Sequence, residues 1–175
     1  MTNTTSQIVC FETSLAQRKR RRALGYFYEA YHAQLRRDYS RAIEKYQQSI
    51  EIYPTAEAHT FLGWTYSFLG ELETAIEECH RAIEVDPEFG NPYNDIGAYL
   101  IAKGEYTEAV PYLQQALDAK RYRAYHFAHF NLGRAKEYQG DVLNALRHYK
   151  KALELEPRYL IAYKAIEHLK KCTLN

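Results

Sequence analysis

Residues 38–54, 71–87, 105–118 and 141–157 of this chain are versions of one segment. Each carries an alanine at the same place, Ala42, Ala75, Ala109 and Ala145, at intervals of 33, 34 and 36 residues. Each segment reads as a helix, and a second helical stretch precedes it, as in residues 62–70. A lone helix pair cannot bury its apolar stripe, so successive pairs must stack into an array. Local signals agree. Pro54, Pro87 and Pro157 end three of the segments, since proline has no N–H for the next helical bond. Gly70, Gly104 and Gly140 follow the first helices, where a left-handed residue is cheap only for glycine. Arg37 stands there in the first pair, so a looser or differently formed turn is expected. Asp38 and Asp141 are placed to cap second helices, and Pro111 inside one of them predicts a mild kink.

A period near 34 built from two helices resembles the tetratricopeptide repeat (TPR) family. With repeats at 23–55, 56–89, 90–125 and 126–159, the small positions of the motif read Ala30/Ala42/Ser49, Gly63/Ala75/Ala82, Gly97/Ala109/Ala116 and Gly133/Ala145/Ala152. Large positions include Tyr26, Tyr46, Leu62, Tyr66, Cys79, Tyr93, Ile96, Leu100, Leu113, Leu132 and Tyr149. The departures are Glu29 in place of Leu, Lys136 in place of Tyr and Arg121 in place of Pro. The first repeat is one residue short and two extra residues precede the fourth. The resemblance implies an all-α, right-handed solenoid of antiparallel helix pairs. An N-terminal extension at 1–22, partly disordered or helical, would precede it. A capping helix at 160–175 would close it.

The 175 residues, with 23 Lys+Arg against 22 Asp+Glu and 46% hydrophobic content, suit one globular domain. No run approaches the roughly 20 apolar residues of a membrane span, and the N-terminus lacks the pattern of a secretory signal. Three scattered cysteines, Cys10, Cys79 and Cys172, suggest a reducing compartment, and a cytoplasmic location is expected. Phosphate-loop, nucleophile-elbow, zinc-protease and Cys-x-x-Cys motifs are all missing from the sequence, so neither catalysis nor a cofactor is expected. His126 and His129 share a helical face, but no carboxylate or thiol is spaced to complete a metal set. Packing is the expected role of His129, and likewise of Cys79.

In the TPR family, first helices line a concave groove that holds a peptide. By that resemblance the groove residues are Phe27, Tyr31, Phe61, Trp64, Phe68, Phe130 and Tyr138, with Asn94, Asn131 and Arg134 to orient a ligand. Exposed aromatics among a few polar groups suit a binding hot spot. The implied function is a non-catalytic scaffold or adaptor for an unidentified protein partner. Trp64→Ala is expected to abolish binding and leave helicity intact. A competing reading has the rings turned into the groove floor, or covered by residues 8–11. The two-carboxylate clamp of TPR co-chaperones is not matched: its positions read Phe27, Tyr31, Phe61, Asn91 and Asp95, or Thr60, Trp64, Asp95, Phe127 and Asn131. Finally, Arg18, Lys19, Arg20, Arg21 and Arg22 are consecutive, and residues 1–22 carry net +4 against −3 for the rest. Five cations on a helix cover every face and must be solvated or meet an anionic partner. This leaves a second function open, an RNA- or anionic-membrane-associated accessory protein. Homo-oligomers through an uncapped end or the aromatic groove are a further expectation.

Overall fold

The computed structural model describes residues 3–173, and among them forms nine helices and no strand beyond an isolated bridge between Phe89 and Arg121. First helices of the pairs are α1 (Asn3–Leu35), α3 (Ala56–Phe68), α5 (Asn91–Lys103) and α7 (Tyr125–Tyr138). Their partners are α2 (Tyr39–Ile52), α4 (Leu72–Val85), α6 (Tyr106–Asp118) and α8 (Val142–Leu155), and α9 (Leu160–Thr173) follows alone. The architecture is the all-α solenoid expected. Each helix packs on its partner and on the next pair; α1 also touches α3, α3 touches α5, and α5 touches α7. Among the described residues no comparable contact joins α2 to α4, α4 to α6 or α6 to α8. The row therefore curves with its first helices inside.

Helix boundaries follow the local chemistry. Tyr53, Asp86 and Glu156, each before a proline, take the extended conformation that the proline ring imposes on its predecessor. Asp38 accepts from the Arg41 N–H and Asp141 from the Asn144 N–H, capping α2 and α8. Arg37 corrects one expectation. At φ 62° it adopts the same left-handed turn as Gly70, Gly104 and Gly140. The following N–H closes onto Ala33 O at 3.0 Å, as Glu71 N–H does onto Tyr66 O. The closed turn outweighs the steric cost to a residue with a Cβ, about 1–2 kcal/mol.

Small residues set the helix spacing. A Cβ built on Gly97 would lie 2.5 Å from Leu113, and one on Gly133 the same distance from Tyr149. One crossing recurs in every pair, between residues 19 apart, with four different chemistries. Lys45 lies 5.3 Å from the Tyr26 ring centre, His59 meets Glu78 at 2.7 Å, Tyr93 and Tyr112 share an apolar cluster, and His129 meets His148 at 3.1 Å.

Two of the three departures from the family pattern, Glu29 and Arg121, have structural reasons. Glu29 lies on the side of α1 that, in later pairs, is buried by the preceding second helix; α1 has none, and Glu29 is exposed. Arg121 replaces the missing third proline with a cross-link. Its N–H donates to Glu88 O, its guanidinium bonds Glu57 and Asp86, and it lies 5.1 Å from the Phe89 ring centre. At the far end, Ala162, Ile166 and Leu169 of α9 are buried, with Ile166 and Leu169 packing beside Tyr149.

Over the expected extension at 1–22, α1 runs unbroken as helix from Asn3 across residue 22 into the first pair, and residues 1–2 lie outside the description.

Candidate functional site

The inner face combines two aromatic ends with a polar centre. At the first end, the Phe61 ring meets Phe27 edge-on at 5.2 Å and Tyr31 at 5.8 Å, and packs against Trp64 at 4.6 Å. These four rings are half-buried, largely by one another. Phe68 stays exposed and stacks on Tyr39, while Leu24, Tyr28 and Leu35 project from α1. Two recesses flank this cluster. One, of about 330 Å³, is lined by Arg20, Leu24, Phe27, Tyr28, Thr55 and Glu57; the other, of about 610 Å³, by Tyr31, Leu35, Tyr39, Phe61, Trp64 and Phe68.

At the other end, Phe130 packs between Tyr149 and Tyr159, and Tyr159 also meets Phe127 and His126 edge-on. Tyr138 is exposed and stacks on Tyr106 with ring centres 4.7 Å apart.

Between the two ends runs a hydrogen-bonded ladder across α3, α5 and α7. Trp64 Nε1–H donates to Asp95 Oδ2 at 2.5 Å, and Asn94 Nδ2 donates to Asp95 Oδ1 at 3.3 Å. Asn131 Nδ2 then donates to Asn94 Oδ1 at 3.1 Å, and Arg134 to Asn131 Oδ1 at 3.4 Å. Burial pushes the Asp95 carboxyl up to about 7, against the pull of the Trp64 and Asn94 hydrogen bonds toward the ionised form. Asn94 and Asn131, expected as open ligand-orienting groups, are instead 9% and 7% exposed and bonded to each other. Each amide spends one N–H and one oxygen lone pair in the ladder and keeps the other of each, though burial narrows access to them; Arg134 retains most of its donors.

The structure changes other pairings too. His129 meets His148 and not His126, and burial, then the charges of His148 and Lys151, hold His129 below its ordinary value. Among the described residues no cluster of three His, Cys, Asp or Glu side chains could hold a metal ion. Cys79 is fully buried, and burial pushes its thiol up, away from the reactive thiolate. The basic run, Arg18 to Arg22, is exposed throughout. The backbone of residues 3–13 continues α1 as helix and does not turn back across the first helices, which speaks against the competing reading in which residues 8–11 cover the rings. No helix among the described residues is long and apolar enough to cross a membrane.

Two family models, both for the tetratricopeptide repeat, match residues 56–89 and 88–158. The chain belongs to the tetratricopeptide repeat family. Its members mediate protein–protein interaction and are generally non-catalytic. Residues 23–55 precede both matches, and there α1 packs on α2 as the first helices of the later pairs pack on their partners. Among curated relatives, small glutamine-rich tetratricopeptide repeat-containing protein 2 of Mycosarcoma maydis is 32% identical over 83 residues, covering 47% of this chain and 24% of that protein. The chain thus spans about a quarter of that relative. Two solved TPR structures share the fold. PilW, described as a type IV pilus biogenesis factor, has a TM-score of 0.80 at 21% identity over 86% of this chain and 69% of that one. YrrB, described as a TPR protein with an unusual peptide-binding site, has a TM-score of 0.68 at 18% identity over 83% and 74%.

Sequence reading missed Tyr39 and Tyr106, which stack on Phe68 and Tyr138, and Tyr159, which meets Phe130 edge-on. Tyr39 and Tyr106 open second helices, and Tyr159 sits before α9, so an inner-face frame built on first helices passes over them.

Proposed function

We propose that this TPR protein is a non-catalytic adaptor that docks a segment of another protein along its inner face. The observation that carries this reading is the set of uncovered apolar side chains there. Leu24, Tyr28, Leu35, Phe68, Phe127 and Tyr138 are each more than 40% exposed, and the backbone of residues 3–13 leads elsewhere. Phe27, Tyr31, Phe61, Trp64 and Phe130 form the floor beneath them, and Asn94, Asn131 and Arg134 the polar strip between. The peptide-binding description of YrrB gives the reading general support. The carboxylate clamp is not part of it, because its frame offers aromatics and a buried acid where cations belong. A cytoplasmic setting accords with free thiols at Cys79 and Cys172.

Trp64→Ala is a poor test. It also removes the indole N–H from a buried carboxyl, so it perturbs stability as well as binding. Phe68→Ala with Tyr138→Ala removes exposed rings and leaves the ladder in place. Affinity capture followed by calorimetry should show client binding weakened at least tenfold by the pair, as for hot-spot truncations above about 1.4 kcal/mol. Unchanged affinity with native helicity refutes the groove reading. The second reading, RNA or an anionic membrane on the basic run, is favoured by the exposure of Arg18 to Arg22. Salt-sensitive retention on heparin or anionic liposomes, lost when residues 18–22 become Ala, would support it.

A further inference from the structure

We infer that the mouth of the inner face beside α1 selects a protein segment in which acidic residues adjoin a large apolar side chain. The inference rests on the groove reading and names the partner's chemistry. Arg18, Lys19, Arg20, Arg21 and Arg22 are exposed, and no ion pair neutralises them among the described residues. The helical turn divides them. Arg20 borders the recess of about 330 Å³ whose walls are Ala23, Leu24, Phe27 and Tyr28, while Arg18, Lys19 and Arg22 border another with Leu15, Glu51 and Ile52.

Carboxylates near the first recess are already engaged. Glu57 on its rim is held by Arg121 at 2.6 Å, and Asp95 lies buried along the face under two donors. An unneutralised cation therefore stands at the entrance of an apolar recess. Charge complementarity favours an anionic occupant, and the exposed Leu24 and Tyr28 favour one that also brings an apolar side chain.

Other occupants fit less well. A second copy stacked end to end would bring α9, with exposed Lys164 and Lys171, against the same cations. A single-stranded nucleic acid needs a run of open ring faces beside its phosphate contacts, but this recess offers Tyr28 alone, since Phe27 is hemmed by Tyr28, Tyr46 and Phe61.

The test is fluorescence polarisation of the full chain with synthetic peptides blocked at both ends. One carries four Glu followed by Leu-Ala-Ala-Phe; its twins replace Glu by Gln, or Leu and Phe by Ser. A 20-residue oligouridylate is the fourth probe. The acidic-apolar peptide should bind at least tenfold tighter than either twin. Its advantage over the Gln twin should shrink below threefold in Arg20→Gln/Arg21→Gln and in 0.5 M salt, where surface charges are screened. Phe68→Ala/Tyr138→Ala should weaken the acidic-apolar peptide and its Gln twin alike. Equal binding of the acidic-apolar peptide and its Gln twin, both lost in Phe68→Ala/Tyr138→Ala, overturns the acidic preference and spares the groove. Failure of all three peptides overturns both. Tighter binding of the oligouridylate, lost in Arg20→Gln/Arg21→Gln, overturns the inference in favour of a phosphate site.

Discussion

Asp95 makes the stability of this protein depend on pH in a direction opposite to the usual carboxylate. In the unfolded chain it titrates near 3.8, and in the folded chain near 7 because burial disfavours the charge. Between those values the folded state holds a proton that the unfolded state has released, so stability falls as pH rises. The full displacement corresponds to about 4 kcal/mol, at about 1.4 kcal/mol per pH unit. Between pH 5 and pH 8 the wild type should therefore lose about 2–3 kcal/mol through this group. Asp95→Asn should not, and every other titrating group is shared, so the difference between the two denaturation series isolates Asp95. The single tryptophan supplies a second readout, because Trp64 donates directly to this carboxyl. Its fluorescence should change with a midpoint near 7, and the transition should vanish in Asp95→Asn. A midpoint below 5, or one that survives the substitution, refutes the claim of a buried, raised carboxyl in the ladder.

Arg37→Gly should stabilise the fold by up to about 1 kcal/mol in urea denaturation, because glycine takes the left-handed turn freely and its unfolded-state entropy offsets only part of the gain. His129 and His148 both titrate below their ordinary value, mainly through burial, so their contribution is intact above about pH 6.5 and falls as acid charges the unfolded chain first. Thermal melts of His129→Phe/His148→Phe should lose part of that acid sensitivity. Gly133→Ala should cost at least about 1–3 kcal/mol, since its methyl would press on the Tyr149 ring, and a denaturation midpoint unchanged from wild type would contradict the close crossing of α7 and α8. Cys79 should resist a thiol reagent in the native protein and react only on unfolding.

The array was legible because its signals are local and repeated. Alanine spacing fixed the pairs, prolines and capping aspartates fixed their ends, and glycines marked three of the four turns. Arg37 shows the limit: propensity argued for a different turn, but the hydrogen bond to Ala33 and the stacking of α1 on α2 imposed the common one. The inner face was legible as a set of positions and not as a network. Nothing in one sequence reveals that Asn94 and Asn131, 37 residues apart, bond to each other, since that contact depends on how closely α5 approaches α7. The partner of His129 was hidden for the same reason. The crossing of residues 19 apart carries no shared chemistry, so no residue-type pattern announces it, although the spacing itself recurs in every pair.

Photo-crosslinking tests the central claim most directly. A benzophenone amino acid replaces Phe68 or Tyr138 on the inner face, or Leu143 at the start of α8, which is 82% exposed and serves as the control. Positions 68 and 138 should form adducts with the same foreign polypeptide, and position 143 should form none with it. Adducts from 68 and 138 to this chain's own residues, or the same polypeptide captured equally at 143, would contradict an open docking face.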